Sequence, residues 1–255
     1  MVLLGNMLRG AANYRLVCWL LGGKRQPEEV ARVDAEGNSK TERYLKMRYC
    51  ISDIHGCSKT LAALLKKINP SADDTVYFLG DYIDRGPDSK GVLDIVMGMP
   101  NAVCLKGNHE DFMIQAQDNQ GALDMWMLNG GRRTLESFGW EIPEKYMDFC
   151  MSLPLVIELP DFYLCHSGSL DTDNPMNTPE DVLLWDRCRS MADLINGRRV
   201  VGGHTPTPIN EIAASLGGKK IIIDNGCVYN THQGYGNLLA LCLDGMTITT
   251  QWNID

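Results

Sequence analysis

Short apolar runs recur along the chain, and each ends at a polar motif containing glycine. Arg48 to Ser52, Thr75 to Leu79 and Ala102 to Leu105 are β-branched and aromatic enough to read as strands. They end respectively at Asp53-Ile54-His55-Gly56, Gly80-Asp81-Tyr82-Ile83-Asp84-Arg85-Gly86 and Gly107-Asn108-His109-Glu110. Between them the period lengthens. Leu61, Leu64, Leu65 and Ile68 fall at helical spacing before Pro70, and Val92, Ile95, Val96 and Met99 do so behind Asp88, a predicted N-cap. Strand, polar motif and helix thus repeat three times. This is the α/β pattern that carries ligands on loops past the carboxyl ends of strands.

The second half is patterned differently. Glu110 to Ser152 reads as mostly helical, broken at Asn129-Gly130-Gly131 and reopened by Pro143, with Met113, Met125, Trp126, Met127 and Trp140 expected as core filling. Strands return at Leu155 to Leu159 and Phe162 to Cys165, joined by a Pro160-Asp161 hairpin turn. A short helix carrying Trp185-Asp186-Arg187 follows, then strands at Arg199 to Gly202, Lys220 to Asp224, Asn237 to Cys242 and Met246 to Gln251. The last two are linked by an Asp244-Gly245 turn. Parallel units come first and antiparallel hairpins second, which two packed sheets flanked by helices accommodate.

Composition narrows the function. The chain has 255 residues with 44% hydrophobic and 22% charged residues, ordinary for a globular protein with a sizeable core. A net charge of −8 argues against nucleic-acid binding, which needs a positive face. No apolar run reaches the roughly 20 residues of a membrane span. The nine cysteines are scattered, without a C-x-x-C pair, as expected of reduced thiols in a cytoplasmic protein. Cys57 and Cys165 sit beside motif residues, where oxidation would be felt. Residues 1–46 precede the first strand pattern and are expected to form a poorly ordered extension. The catalytic domain is expected over residues 47–255.

Five histidines are present, and four of them (His55, His109, His166, His204) directly follow strand-like runs, each beside glycine, asparagine or serine. One such histidine is unremarkable; four in one topological position form a set. With them come Asp53, Asp81 and Asn108. Two carboxylates, three imidazoles and one carboxamide suit Mn, Fe or Zn better than the all-oxygen preference of Ca or Mg. Asp53, His55, Asp81, Asn108, His166 and His204 are too many for one catalytic ion with an open position. Two divalent ions sharing Asp81 is the economical reading. Such a pair bridges the attacking and leaving oxygens of an in-line displacement and acidifies a shared water.

These five ordered blocks, with the histidine before Ser167-Gly168 and Gly203-His204-Thr205, resemble the signature of the phosphoprotein phosphatase family within the calcineurin-like metallophosphoesterases. The resemblance runs from about Arg48 to the C-terminus. It implies a β-sandwich of two mixed sheets with helices outside, and a serine/threonine protein phosphatase of bacterial type. It implies that Asp53 and His55 bind the first metal, that Asp81 bridges, and that Asn108, His166 and His204 complete the second. His109 would be the general acid oriented by Asp84, and Arg85, Asn108 and Arg187 would hold the phosphate. Independently, a histidine suits proton transfer near neutral pH, and the arginine fork matches phosphate.

The substrate implied is a phosphorylated protein or a small phosphoester. Hydrolysis of dinucleoside tetraphosphates is the alternative. Asp84-Arg85-Gly86 and Asn129-Gly130-Gly131-x-x-Thr134 resemble the protein-phosphatase branch more closely. A third reading is an inactive phosphoprotein-binding module, which would be expected to have lost ligands. Arg132-Arg133 reads equally as a recruiting patch or a solvated helix face. His232 reads as surface decoration, and Gly217-Gly218-Lys219-Lys220 as a turn.

Overall fold

In the computed structural model, residues 28–33, 39–44, 46–188, 190–191 and 193–255 are described. Most of the expected N-terminal extension lies outside them. Within it, β1 (Glu28–Val33) and β2 (Ser39–Tyr44) pair antiparallel as a separate two-stranded sheet.

The three strand–motif–helix units form as expected: β3 (Arg48–Ile51), α1 (Ser58–Ile68), β4 (Thr75–Phe78), α2 (Ser89–Met97), β5 (Ala102–Cys104) and α3 (Asn108–Gln115). Helix α1 stops at Asn69, one residue before Pro70, because Asn69 turns left-handed (φ 43°) and returns its N–H to Leu65 O. Asp88 caps α2, its carboxylate accepting the Gly91 N–H at 2.9 Å. Three short helices follow: α4 (Gln120–Leu128), α5 (Gly131–Ser137) and α6 (Glu144–Ser152). The break between α4 and α5 falls at Gly130, whose φ of 110° needs a residue without a side chain.

The remaining elements are β6 (Val156–Glu158), β7 (Phe162–Cys165), α7 (Glu180–Trp185), β8 (Arg199–Gly202), α8 (Ile209–Ser215), β9 (Lys220–Ile222), β10 (Asn237–Cys242) and β11 (Thr247–Trp252). One sheet has the order β11-β10-β3-β4-β5, with β3, β4 and β5 parallel. The other has the order β6-β7-β8-β9, with β7, β8 and β9 parallel. Strand β10 returns the chain to the first sheet, antiparallel to β3.

Period-two alternation decides which layer each side chain enters. Cys50, Tyr77, Leu79, Phe162, Leu164, Val201 and Leu241 share one buried cluster between the sheets. Their sequence neighbours Ile51, Val76 and Phe78 face outward, under α1 and α2, with Leu61, Leu64, Val92 and Leu93. Tyr163, Cys165 and Val200 form a third cluster with Leu183 on the outer side of the second sheet. Each fully buried Leu or Ile contributes about 1.5–3 kcal/mol, so a one-residue slip in β4 would exchange two cores.

Three expectations need correction. Met125 and Trp140 are exposed rather than core filling. The turn covers Gly217 to Lys219 only; Lys220 opens β9, as the strand pattern expected, and is buried. Its Nζ finds an acceptor in Ser169 Oγ at 2.9 Å, which makes burial tolerable. The short helix ends at Trp185, leaving Asp186 and Arg187 on the loop beyond.

Candidate metal centre and active site

The parallel strands of both sheets end at one edge of the sandwich, and every candidate motif begins there. Asp53 and His55 follow β3, Asp81 follows β4, Asn108 opens α3 after β5, His166 follows β7, and His204 follows β8. To turn at once toward a common point, the backbone goes left-handed at Asp53 (φ 53°), His55 (47°), Asp81 (56°), Asp84 (72°), Arg85 (65°) and His204 (65°). Non-glycine residues pay on the order of 1–3 kcal/mol each for this and cluster where function requires it.

Hydrogen bonds hold the strained loops. His55 N–H donates to Asp81 O at 2.9 Å and Gly56 N–H to Tyr82 O at 2.8 Å, extending the β3–β4 pairing past both strands. The fully buried Glu110 carboxylate accepts N–H groups from Asp81 (2.9 Å), Tyr82 (2.8 Å) and Gly107 (2.9 Å). It staples the β4 loop to the start of α3. Gly80 is required at this seam, since a Cβ there would lie 2.5 Å from Gly107 N.

Asp81 stands at the centre. Its Oδ2 is 3.5 Å from His55 Nε2 and 3.9 Å from His109 Nε2, while its Oδ1 is 3.4 Å from His166 Nε2. Two overlapping ligand groups result, His55–Asp81–His109 and Asp81–His166–His204, with donor atoms within 4.8 Å of one another in each. Asn108 Oδ1 joins the second, 2.9 Å from both His166 Nε2 and His204 Nδ1. Asp53 lies just behind. Its carboxylate accepts the His204 N–H at 3.0 Å and the Ser52 hydroxyl.

The donor chemistry fits cations. His55 Nδ1 and His166 Nδ1 lie 2.9 and 2.7 Å from the carbonyls of Ile83 and Leu79, which fixes their protons there and leaves Nε2 lone pairs facing the site. Burial depresses His204 to about 3, so its imidazole is neutral. Burial and Arg85 likewise hold His55 well below its ordinary value. Burial pushes Asp53 up to about 6 and Asp224, a neighbouring carboxyl, well above its ordinary range. Divalent cations would relieve this surplus of buried lone pairs.

His109 belongs to the first of these groups by distance but has partners of its own. Its Nδ1 is 2.6 Å from Asp84 Oδ2, and its Nε2 accepts from Arg85 Nη2 at 2.8 Å. Burial lowers its affinity for a proton, but the carboxylates of Asp81 and Asp84 more than compensate and raise it. Arg85 also donates through Nη1 to His55 Nε2 at 2.8 Å, so its guanidinium spans the two imidazoles. On the opposite rim, Trp185 lies with its ring 6.0 Å from His204 and 4.8 Å from Phe112, and Arg187 is exposed beside it.

The sequence-predicted site residues therefore converge, and the residues read as peripheral stay outside the group. His232 is exposed and packs on Tyr229, outside this group. Arg132 and Arg133 pair with Glu136 on a solvated helix face. Cys165 is inert, its thiol pushed up to about 12 by burial. Sequence reasoning gave no role to Glu110, Asp224 or Trp126. Glu110 stood inside a quoted motif, whereas nothing local marks a core tryptophan as a donor to Asp84. An open cavity of about 500 Å³ at the amino ends of β7 and β8, lined by Asp161, Phe162, Arg199 and Lys219, contains none of these residues.

A sandwich that gathers imidazoles, carboxylates and a carboxamide at shared strand ends defines a metallohydrolase. The chain belongs to the calcineurin-like phosphoesterase family, whose profile matches residues 49–230. Members use divalent metal ions, and the two groups around Asp81 are the candidate ligands here. The chain is 30% identical over 202 residues to serine/threonine-protein phosphatase 1 of Salmonella typhimurium, covering 71% of this chain and 86% of that one. It is 41% identical over 70 residues to a symmetrical bis(5'-nucleosyl)-tetraphosphatase of Delftia acidovorans, a stretch covering 27% and 25% of the two chains. A serine/threonine phosphatase structure from Saccharomyces cerevisiae shares the fold, with a TM-score of 0.57 at 18% identity over 82% of this chain and 81% of that one. No helix among the described residues is long and apolar enough to cross a membrane.

Proposed function

We propose that this phosphoesterase is a serine/threonine protein phosphatase with two divalent ions, Mn or an Fe/Zn pair, held on either side of Asp81. The observation that carries the proposal is the division of Asp81, with Oδ2 toward His55 and Oδ1 toward His166. Asp53 and His55 hold the first ion and Asn108, His166 and His204 the second. Ions held there would supply Lewis-acid chemistry, lowering the pKa of water and offsetting phosphate charge. Arg85 and Arg187, with Asn108, bind those oxygens. His109, aligned by Asp84, carries the proton that the departing serine or threonine oxygen needs.

The protein-substrate reading draws support from similarity to a protein phosphatase over most of both chains. The shorter tetraphosphatase match, at 41% identity over 70 residues, supports a second reading, hydrolysis of dinucleoside tetraphosphates. Manganese-loaded protein incubated with a phosphoserine peptide and with a dinucleoside tetraphosphate separates them. Turnover of the peptide alone is expected, and preferential turnover of the nucleotide overturns the first reading. Residues 47–255 form the catalytic domain in this proposal, and the absence of disulfides among the described residues supports a cytoplasmic setting.

A further inference from the structure

We propose that Trp126 and Thr134, on two helices that bear no ligand, are positioning residues that hold Asp84, and through it His109, in line with the leaving group. The inference rests on His109 being the general acid.

Asp84 is fully buried and every acceptor position on it is filled. Trp126 Nε1–H reaches both carboxylate oxygens at 3.0 Å. Thr134 Oγ1–H donates to Oδ1 at 2.6 Å, and His109 Nδ1 meets Oδ2 at 2.6 Å. The same Thr134 hydroxyl accepts the Asp84 backbone N–H at 2.9 Å, so it fixes both the carboxylate and the left-handed backbone that presents it. Ser89 Oγ, 3.0 Å from Thr134 Oγ1 and 3.1 Å from Asp84 N, completes the set. With Thr134 donating to the carboxylate, Ser89 donates to Thr134; the Thr134 hydroxyl then gives one proton and accepts two, and the Ser89 hydroxyl gives one and accepts one, from the Asp84 N–H.

This arrangement has more donors than ionic balance alone calls for. A buried carboxylate needs partners, but a single indole N–H shared between both oxygens sets the plane of the carboxylate. That plane decides where the His109 ring points and therefore where Nε2 stands. Trp126 is 4% exposed and Thr134 0%, so neither is free to follow a rotated Asp84. Rigid support of this kind is what keeps a proton donor within the narrow geometry that transfer demands.

The test uses the full-length manganese-loaded protein carrying Trp126→Phe, Thr134→Val or Thr134→Ser, with His109→Asn alongside. Substrates are a phosphoserine peptide and p-nitrophenyl phosphate, whose leaving group needs little protonation. Trp126→Phe and Thr134→Val are expected to lower kcat on the peptide about tenfold, the effect of one misaligned hydrogen bond, with KM unchanged. On p-nitrophenyl phosphate the loss should be under about twofold, and Thr134→Ser should restore the peptide rate. Independently of turnover, the downfield imidazole N–H signal of His109 should shift in Trp126→Phe. Trp126→Phe keeps the ring and carries the test alone if Thr134→Val does not fold. Equal losses on both substrates, or no loss, overturn the inference while His109→Asn still discriminates between them. If His109→Asn does not discriminate, the general-acid reading falls as well.

Discussion

Asn108 Oδ1 stands 2.9 Å from His166 Nε2, and the ring proton that would join them in the neutral imidazole is committed to Leu79 O, 2.7 Å from Nδ1. Two lone pairs thus face each other in a buried site, with Asp81 Oδ1 a third at 3.4 Å. A cation between them turns repulsion into coordination.

Metal binding should therefore raise stability as well as activity. Protein stripped with a chelator is expected to unfold at lower temperature than protein given manganese. At an ion concentration about 100 times Kd the linkage is about 2.7 kcal/mol. Asp81→Asn, which weakens both groups at once, should abolish most of that rise, whereas His232→Ala should leave it intact. Metal analysis beside thermal melts checks both.

His109→Asn is expected to retain metal while losing roughly 10²–10⁴-fold in turnover of a phosphoserine peptide. Its Nδ1 contact to Asp84 supports the proposed role as a proton carrier, although its Nε2 lies 3.9 Å from Asp81 Oδ2, within one of the candidate ligand groups. Metal content equal to wild type with a collapsed rate is the expected pair of results; loss of metal would reassign the residue.

Arg48 clamps the end of the sandwich opposite the site. Its guanidinium is bidentate to Asp161 at 2.6 and 2.7 Å and reaches Asp244 at 2.8 and 3.0 Å, joining β3 to the β6–β7 and β10–β11 turns. Arg48→Met strands carboxylates beside a buried cluster and should cost about 3 kcal/mol, a value discounted for the half-exposed Asp161. Denaturant melts measure the loss. Rates at low temperature should stay near wild type, because nothing at the opposite edge moves.

Burial depresses the Lys220 ammonium below its ordinary value, since the charged form is disfavoured inside the fold. Between its folded pKa and the unfolded value of about 10.4 the unfolded chain holds more protons, so stability rises with pH in that window. The penalty is fully present below the folded pKa. Wild type should therefore gain stability relative to Lys220→Met as pH climbs from about 8 to 10. Thermal melts across that range read the difference, and a falling difference would mean that hydrogen bonds to Ser169 and the Cys188 carbonyl favour the charged form after all.

The strands, the helices α1 and α2, and the ligand set were legible because each is a local pattern. The apolar run Val76 to Leu79 and the 3.6 spacing of Leu61, Leu64 and Leu65 are written in adjacent residues, and ligands sat in short ordered motifs. Trp126 was read as core filling, which its 4% exposure bears out, yet its one polar atom reaches Asp84 across 42 positions of chain. Lys220 was read both as the end of a turn and as the start of a strand; the structure makes it the start of β9, and the pairing of β9 with β8 brings it inside.

By itself, then, the sequence determined the order of elements, the family and the residues able to hold metal, since those depend on side-chain chemistry and near-neighbour spacing. Tertiary structure alone decided how Asp81 is divided between two groups, which ring nitrogens face inward, and which distant side chains aim His109. Those outcomes depend on how two sheets stack and where left-handed turns release the chain, and no stretch of contiguous residues encodes either.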